Sequence, residues 1–169
     1  MSRISRHALC RAIETIRAMN RTDKEHLADE LFRDQPNMFG SFLVQQQMGV
    51  SLEKMEFLLD ILFICFQAMK ESGLSWPLIT EDEQDRQLGR YVATVKFGDD
   101  LSEQLRDRAM KQYIAGHPEQ ALFAFVSTET ANWLRRIVPE ETDKYIILTA
   151  ANFVNCIAFV PMPALKPTT

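Results

Sequence analysis

The chain reads FLLDILFICF from Phe57 to Phe66, an apolar run that contains one aspartate, Asp60. A helix turns by about 100° per residue, and on such a helix five polar residues share a stripe roughly 60° wide. They are Glu53, Glu56, Asp60, Gln67 and Glu71. A helix that is apolar on all other sides is surrounded by protein. The run therefore predicts the central helix of an all-α fold, with Asp60 on its single solvated edge.

Helix signals continue on both sides of this run, and no segment has the alternation of a β-strand. Ser51 is a predicted N-cap of the central helix, and Gly73 is its predicted stop. Thr80–Glu83 has the pattern of a capping box. Eight helices are expected, beginning near Ser2 or Ser5, Asp23, Pro36, Ser51, Thr80, Asp100, Pro118 and Pro139.

These helices predict a single all-helical domain over residues 1–160, an irregular bundle of seven to nine helices. The proline-rich residues 161–169 are expected to form an extended tail, because proline cannot continue a helix. No apolar stretch reaches the roughly 18–20 residues that a membrane span needs. The chain of 169 residues has three cysteines, Cys10, Cys65 and Cys156, without short spacing. An odd number of unclustered cysteines is typical of reduced thiols, so we expect a soluble, cytoplasmic protein.

The charge is unevenly distributed along the chain. The net charge is −4, which argues against nucleic-acid binding, because phosphate binding needs a surplus of Lys and Arg. Residues 1–24 carry +4, however, and the remainder carries −8. Four arginines on the first helix are a predicted surface for an acidic partner: Arg3, Arg6, Arg17 and Arg21. The nearest such partner is another copy of the chain, so we expect a protein partner or self-association into a homo-oligomer.

Acidic side chains and one histidine are the candidate metal ligands. Helical carboxylate sites use Glu-x-x-His pairs that face acids of other helices. Asp23 and His26 have a related spacing, and Glu30 follows one turn later on the same face. The acids of the central helix are the other source of ligands: Glu53, Glu56 and Asp60. Because two Glu-x-x-His copies are missing, we predict no metal and no cofactor.

Polar side chains on the last helix predict a small-molecule pocket. Tyr145, Thr149, Asn152 and Cys156 follow one line of that helix, with Asn155 beside it. Buried amides need hydrogen-bond partners, either from neighbouring helices or from a ligand. Both interpretations stay open. The chain has no Gly-rich phosphate loop, Ser–His–Asp arrangement or zinc-spaced cysteine cluster.

The stretch from Phe42 to Leu59 resembles the helix-turn-helix of bacterial repressors, with its turn at Gly49. The resemblance implies a DNA-binding transcription factor in which five apolar residues pack the two helices together: Val44, Met48, Val50, Met55 and Leu58. Gln45 replaces a small residue of that motif, and Glu53 and Glu56 on the reading face would repel phosphate. A plain helical hairpin is the alternative.

Together these patterns favour a non-enzymatic helical binding or interaction protein. The absence of a catalytic motif and the supply of Met and Phe side chains support that hypothesis. One alternative is a small-molecule- or metal-dependent enzyme with a site between the central helices. A helix-turn-helix transcription factor is the weaker alternative.

Overall fold

The computed structural model describes residues 1–164, and within that range the protein is all-helical with no β-strand. This confirms the predicted irregular helical bundle. The eight helices are α1 (Arg6–Ala18), α2 (Arg21–Asp34), α3 (Pro36–Gln47), α4 (Leu52–Glu71), α5 (Glu81–Phe97), α6 (Glu103–Gly116), α7 (Gln120–Leu134) and α8 (Asp143–Phe159).

Helix α4 is the centre of the bundle. It packs against α1, α3 and α8, and every residue from Ile61 to Met69 is buried. Asp60 is exposed, as predicted, and its carboxylate lies 3.6 Å from the ammonium of Lys24. The exposed polar edge of α4 is shorter than predicted, because Gln67 is buried. The apolar side of α4 is less completely buried than predicted, because Leu52 is exposed.

Local capping residues set most helix starts. The side chains of Ser5, Ser51 and Thr80 accept hydrogen bonds from backbone N–H groups in the first turns of α1, α4 and α5. Gly73 adopts φ +70°, the left-handed conformation expected after a helix end. The capping box at Thr80 is incomplete, because the Glu83 carboxylate accepts hydrogen bonds from Gln87 and Arg86 instead.

Two predicted helix starts are wrong. Asn20, and not Asp23, is the N-cap of α2, and Asp23 completes a capping box with it. The last helix begins at Asp143 and not at Pro139. The reason is that the Asp143 carboxylate accepts hydrogen bonds from the Glu140 N–H and from Lys54, which holds the preceding residues in a turn.

A buried lysine ties the start of α4 to that turn. The Lys54 ammonium donates to Asp143, to Glu140 and to the carbonyl of Val138. Burial lowers the pKa of Lys54, but the hydrogen bonds to the two carboxylates outweigh burial, so the pKa lies above its ordinary value.

The N-terminal segment is tied to the bundle by a buried carboxylate. Glu119 accepts hydrogen bonds from the Ser2 hydroxyl and from the backbone N–H groups of Arg3 and Ile4. The Arg3 guanidinium donates at 2.8 Å to the carbonyls of Ile157 and Val160, at the end of α8. A cation there satisfies carbonyls that a helix end leaves free.

Two tryptophans occupy different places in the bundle. The ring of Trp133 on α7 stacks on Phe57 of α4, with 4.6 Å between centroids. Trp76 lies in the loop between α4 and α5, and its indole N–H donates to the Met69 carbonyl and the Ser72 hydroxyl.

Residues 161–164 are not helical, and the rest of the predicted tail lies outside the described residues. Over residues 1–164, no helix combines the length and hydropathy that crossing a membrane requires.

Candidate functional site

A cavity of about 300 Å³ lies between α5, α6 and α8. Helices α5 and α8 pack side by side and run in the same direction, so that the later turns of both reach this cavity. His117 and Pro118, directly after α6, also line it. The lining residues are Gln87, Arg90, Tyr91, Thr94, Gln112, Tyr113, Gly116, His117, Pro118, Asn155 and Phe159.

His117 is buried, and both of its ring nitrogens have partners. Nδ1 accepts a hydrogen bond of 3.0 Å from the backbone N–H of Glu119. Nε2 must then carry the proton, which it donates to Oδ1 of Asn155 at 2.9 Å. Burial lowers the pKa of His117, and this effect exceeds the opposing effect of its hydrogen bonds. The imidazole is therefore held neutral, in one tautomer.

Aromatic rings form the walls of the cavity. Tyr113 packs against Tyr91, His117 and Phe123 with centroid distances of 5.3–5.9 Å. Burial, and in second place the neighbouring Tyr113, raises the pKa of Tyr91 to about 12. The pKa of Tyr113 is also raised by burial. Both phenols therefore keep their protons at neutral pH and can donate hydrogen bonds.

Arg90 is the one charged side chain among the described residues that line the cavity. Its guanidinium lies 5.0 Å from the centroid of the Phe159 ring, on which it stacks. It also donates to the Gln87 side chain at 3.4 Å. Stacking leaves the edge of the planar guanidinium free to bind a carboxylate or phosphate in two places.

The structure separates the polar residues predicted on the last helix. Asn155 lines the α5–α6–α8 cavity, whereas Tyr145, Thr149 and Asn152 line a second cleft, of about 220 Å³, between α3, α5 and α8. Cys156 is buried and lines neither of them. Burial, with a smaller contribution from Glu83, raises the pKa of its thiol to about 12.

Some of the candidate metal ligands have other partners, and the others are exposed side chains. Glu30 pairs with Lys70 at 2.8 Å, and Asp23 belongs to the capping box of α2 beside an exposed His26. Glu53, Glu56 and Asp60 are exposed on α4. Within residues 1–164, no group of three or more His, Cys, Asp or Glu side chains is arranged to hold a metal ion.

The predicted helix-turn-helix packing is wrong in part. The turn exists, and Gly49 has φ +89°. Val50, Met55 and Leu58 are buried as the resemblance implies, but Val44 and Met48 are exposed. Gln45 faces inward in their place, because its amide bonds to the Ser41 carbonyl and to Thr149 of α8.

The predicted basic surface is smaller than the sequence indicated. Arg3 binds the carbonyls at the end of α8, so it is not part of the exposed basic surface. Arg21 pairs with Glu25 on its own helix at 2.9 Å. Arg6 and Arg17 are exposed on α1.

The cavity-lining residues of α5 and α6 were not among the residues predicted to form a site. Tyr113 is in the last turn of α6 and His117 directly follows that helix, four residues later, and this spacing was an available signal. Arg90 and Tyr91 carried no comparable signal, since the aromatic rings on which they pack come from other helices.

The fold and the cavity together define the class of protein, which is an all-α bundle with an aromatic, arginine-bearing cavity between its helices. The chain matches no protein-family model, no curated protein and no solved structure.

Proposed function

We propose that this is a non-enzymatic binding protein that takes a small aromatic anion into the α5–α6–α8 cavity. Clefts of about 300 Å³ with mostly apolar walls and a few converging polar groups are typical ligand sites. The cavity here has that volume, and its described lining combines three aromatic rings and one arginine, without an acid, with five further polar side chains: Gln87, Thr94, Gln112, His117 and Asn155.

The observation that carries the proposal is the state of His117. A general base needs a free ring nitrogen near its substrate. Here Nδ1 already accepts from the Glu119 N–H, and Nε2 donates to Asn155. The buried thiols of Cys65 and Cys156, each with its pKa raised to about 12, are poor nucleophiles. This favours binding over the alternative of an enzyme with a site between the central helices.

The ligand class follows from the donors. Arg90 supplies a planar cation at the cavity, and the Tyr91 hydroxyl is a protonated donor, whereas the Tyr113 hydroxyl already donates to Oδ1 of Asn155 at 3.4 Å. An anionic group would bind the guanidinium in two places, while an aromatic body would stack among Tyr91, Tyr113 and Phe159.

Titration with benzoate, benzyl alcohol and benzylamine, followed by amide NMR shifts, tests the proposal. We expect benzoate to shift the cavity residues most and benzylamine least. Arg90→Gln should weaken benzoate binding about tenfold, because a charge-assisted hydrogen bond is lost. Arg108→Gln is the matched control, since Arg108 is exposed on α6 and does not line the cavity. Equal shifts from all three probes, or an unchanged affinity in Arg90→Gln, would contradict the proposal.

We also propose, as a separate property, that the protein self-associates in the cytoplasm. Support for the location is that all three cysteines are free thiols, as is usual in a reducing compartment. Support for association is the exposed positive charge of Arg6 and Arg17 on a chain whose remainder is acidic.

Light scattering at low and high salt tests self-association. Arg6→Ser with Arg17→Ser should give a monomer at low salt, and added salt should do the same to the wild type, because exposed charges are screened over about 10 Å at 0.1 M. Arg3 is left in place because it caps α8. A mass that neither salt nor the substitutions change would refute charge-driven association.

A further inference from the structure

We propose that the α5–α6–α8 cavity selects heteroaromatic carboxylates, in which a ring nitrogen far from the anionic group accepts a hydrogen bond from the Tyr91 hydroxyl. This inference rests on the proposed function, since it takes the cavity to be a site for aromatic anions. It narrows the class of ligand, and it makes Tyr91 the residue that distinguishes a pyridine ring from a benzene ring.

Two buried side chains that line the cavity carry a donor without a partner. Within residues 1–164, the Tyr91 hydroxyl makes no hydrogen bond, and the Asn155 side chain uses only its Oδ1. Tyr91 is 7% exposed and Asn155 is 2% exposed. In that range, the fully enclosed polar atoms without a partner belong to Gln45, Gln67 and Asn152. The hydroxyl and Nδ2 are therefore not sealed in the core, and they open into the cavity that their residues line.

The charged donor and the neutral donors of the cavity lie at different depths. Arg90 is exposed, so its guanidinium is at the mouth of the cavity. Tyr91 is buried, and its ring packs against the core residue Phe123 of α7 with 6.1 Å between centroids. An anionic group that binds Arg90 therefore stays at the mouth, and the far side of its aromatic ring points inward. The inner atoms of the ring are the ones that meet Tyr91 and Asn155.

The inner end of the cavity donates hydrogen bonds and has little capacity to accept them. Oδ1 of Asn155 already accepts from the Tyr113 hydroxyl at 3.4 Å and from Nε2 of His117 at 2.9 Å. Burial raises the pKa of Tyr91 to about 12, so its hydroxyl keeps the proton that it can donate. A ring C–H at this end would leave the donors unpaired, whereas a pyridine nitrogen accepts a hydrogen bond without adding volume to the ring.

The test compares benzoate with isonicotinate, nicotinate and picolinate in NMR titrations of the full chain at neutral pH, where the ring nitrogens are unprotonated. All four probes are then monoanions of the same shape. We expect isonicotinate or nicotinate to bind about fivefold tighter than benzoate, the effect of one net hydrogen bond. Picolinate has its nitrogen beside the carboxylate, away from Tyr91, and should bind like benzoate. The side-chain NH₂ signals of Asn155 report that the probes occupy this cavity.

Tyr91→Phe removes the hydroxyl and keeps the ring, so it should bring the affinity of the preferred pyridine carboxylate, relative to benzoate, to about one or below. Tyr145→Phe is the matched control, since Tyr145 on α8 does not line this cavity, and it should keep the wild-type ratio. The inference is overturned if benzoate binds and neither isonicotinate nor nicotinate binds tighter, if picolinate is preferred equally, or if the preference survives in Tyr91→Phe. Failure of all four anions to bind would instead overturn the proposed function itself.

Discussion

The ammonium of Lys54 lies 2.7 Å from the carboxylate of Asp143, and both side chains are buried. The contact joins the first turn of α4 to the first turn of α8, the two helices that are most deeply buried. A charge in such a place is tolerated only with its partner, because an unpaired buried ion loses its hydration without replacement.

Lys54→Met should therefore destabilise the protein far more than Lys70→Met. The first change leaves Asp143 buried without its cation, whereas Lys70 pairs with Glu30 near the surface. Thermal unfolding of the two variants at the same pH measures the difference. Equal midpoints would show that the Lys54–Asp143 pair is not a significant source of stability.

Asp60→Asn should change the free energy of unfolding by less than about 1 kcal/mol, the range of exposed ion pairs. Asp60 is exposed on α4, and its partner Lys24 is 3.6 Å away. Urea denaturation of the wild type and the variant measures the change. A loss above about 3 kcal/mol would place Asp60 in a buried pair and contradict its exposure.

Leu62→Ala should lower the free energy of unfolding by about 2–5 kcal/mol, because the truncated side chain leaves a cavity in a packed core. Leu62 is fully buried in the middle of α4. Leu52→Ala, on the same helix, is the control, since Leu52 is 66% exposed and its truncation should alter stability by no more than about 0.5 kcal/mol. Similar losses of stability in the two variants would show that α4 does not lie in the core.

Protonation of His117 should destabilise the fold in acid. Burial places the pKa of His117 below the ordinary value of 6.5, so near and below pH 6.5 the unfolded chain binds this proton more readily than the folded one. The contribution of neutral His117 to the free energy of unfolding is then complete above about pH 6.5. It is lost as the pH falls from there through the folded-state pKa.

The measurement is the free energy of unfolding of the wild type and of His117→Gln at several pH values between 7.5 and 5. We expect the wild type to lose more stability than the variant over this range. His7→Gln, at an exposed position, is the control substitution. A His117→Gln profile parallel to that of the wild type would mean that this histidine does not titrate differently on folding.

Much of the fold was predictable because its determinants are local. The Ser5, Ser51 and Thr80 caps lie within three residues of the N–H groups they bind, and α3 begins and ends where Pro36 and Gly49 predicted. The apolar run around Asp60 identified the central helix, because a helix that is apolar on nearly all sides must be surrounded by protein.

The parts that sequence analysis missed depend on contacts between distant residues. The sequence around Lys54 is typical of a surface lysine, because its partner Asp143 comes from the other half of the chain. Arg3 was assigned to a surface for partners because the carbonyls at the end of α8 are invisible in a pattern of side chains. The polar line on α8 was found, but its division between two clefts depends on the neighbours that α3, α5 and α6 supply.

The positions of the two tryptophans make the protein its own optical reporter of unfolding. Trp133 is stacked in the core against Phe57, and Trp76 is held in a loop by its indole N–H. With Trp76→Phe, fluorescence follows the contact between α4 and α7 alone, and with Trp133→Phe it follows the loop after α4. Coincident denaturation curves from the two variants would establish that the bundle unfolds as one cooperative unit. Separated curves would show which part of the bundle unfolds first.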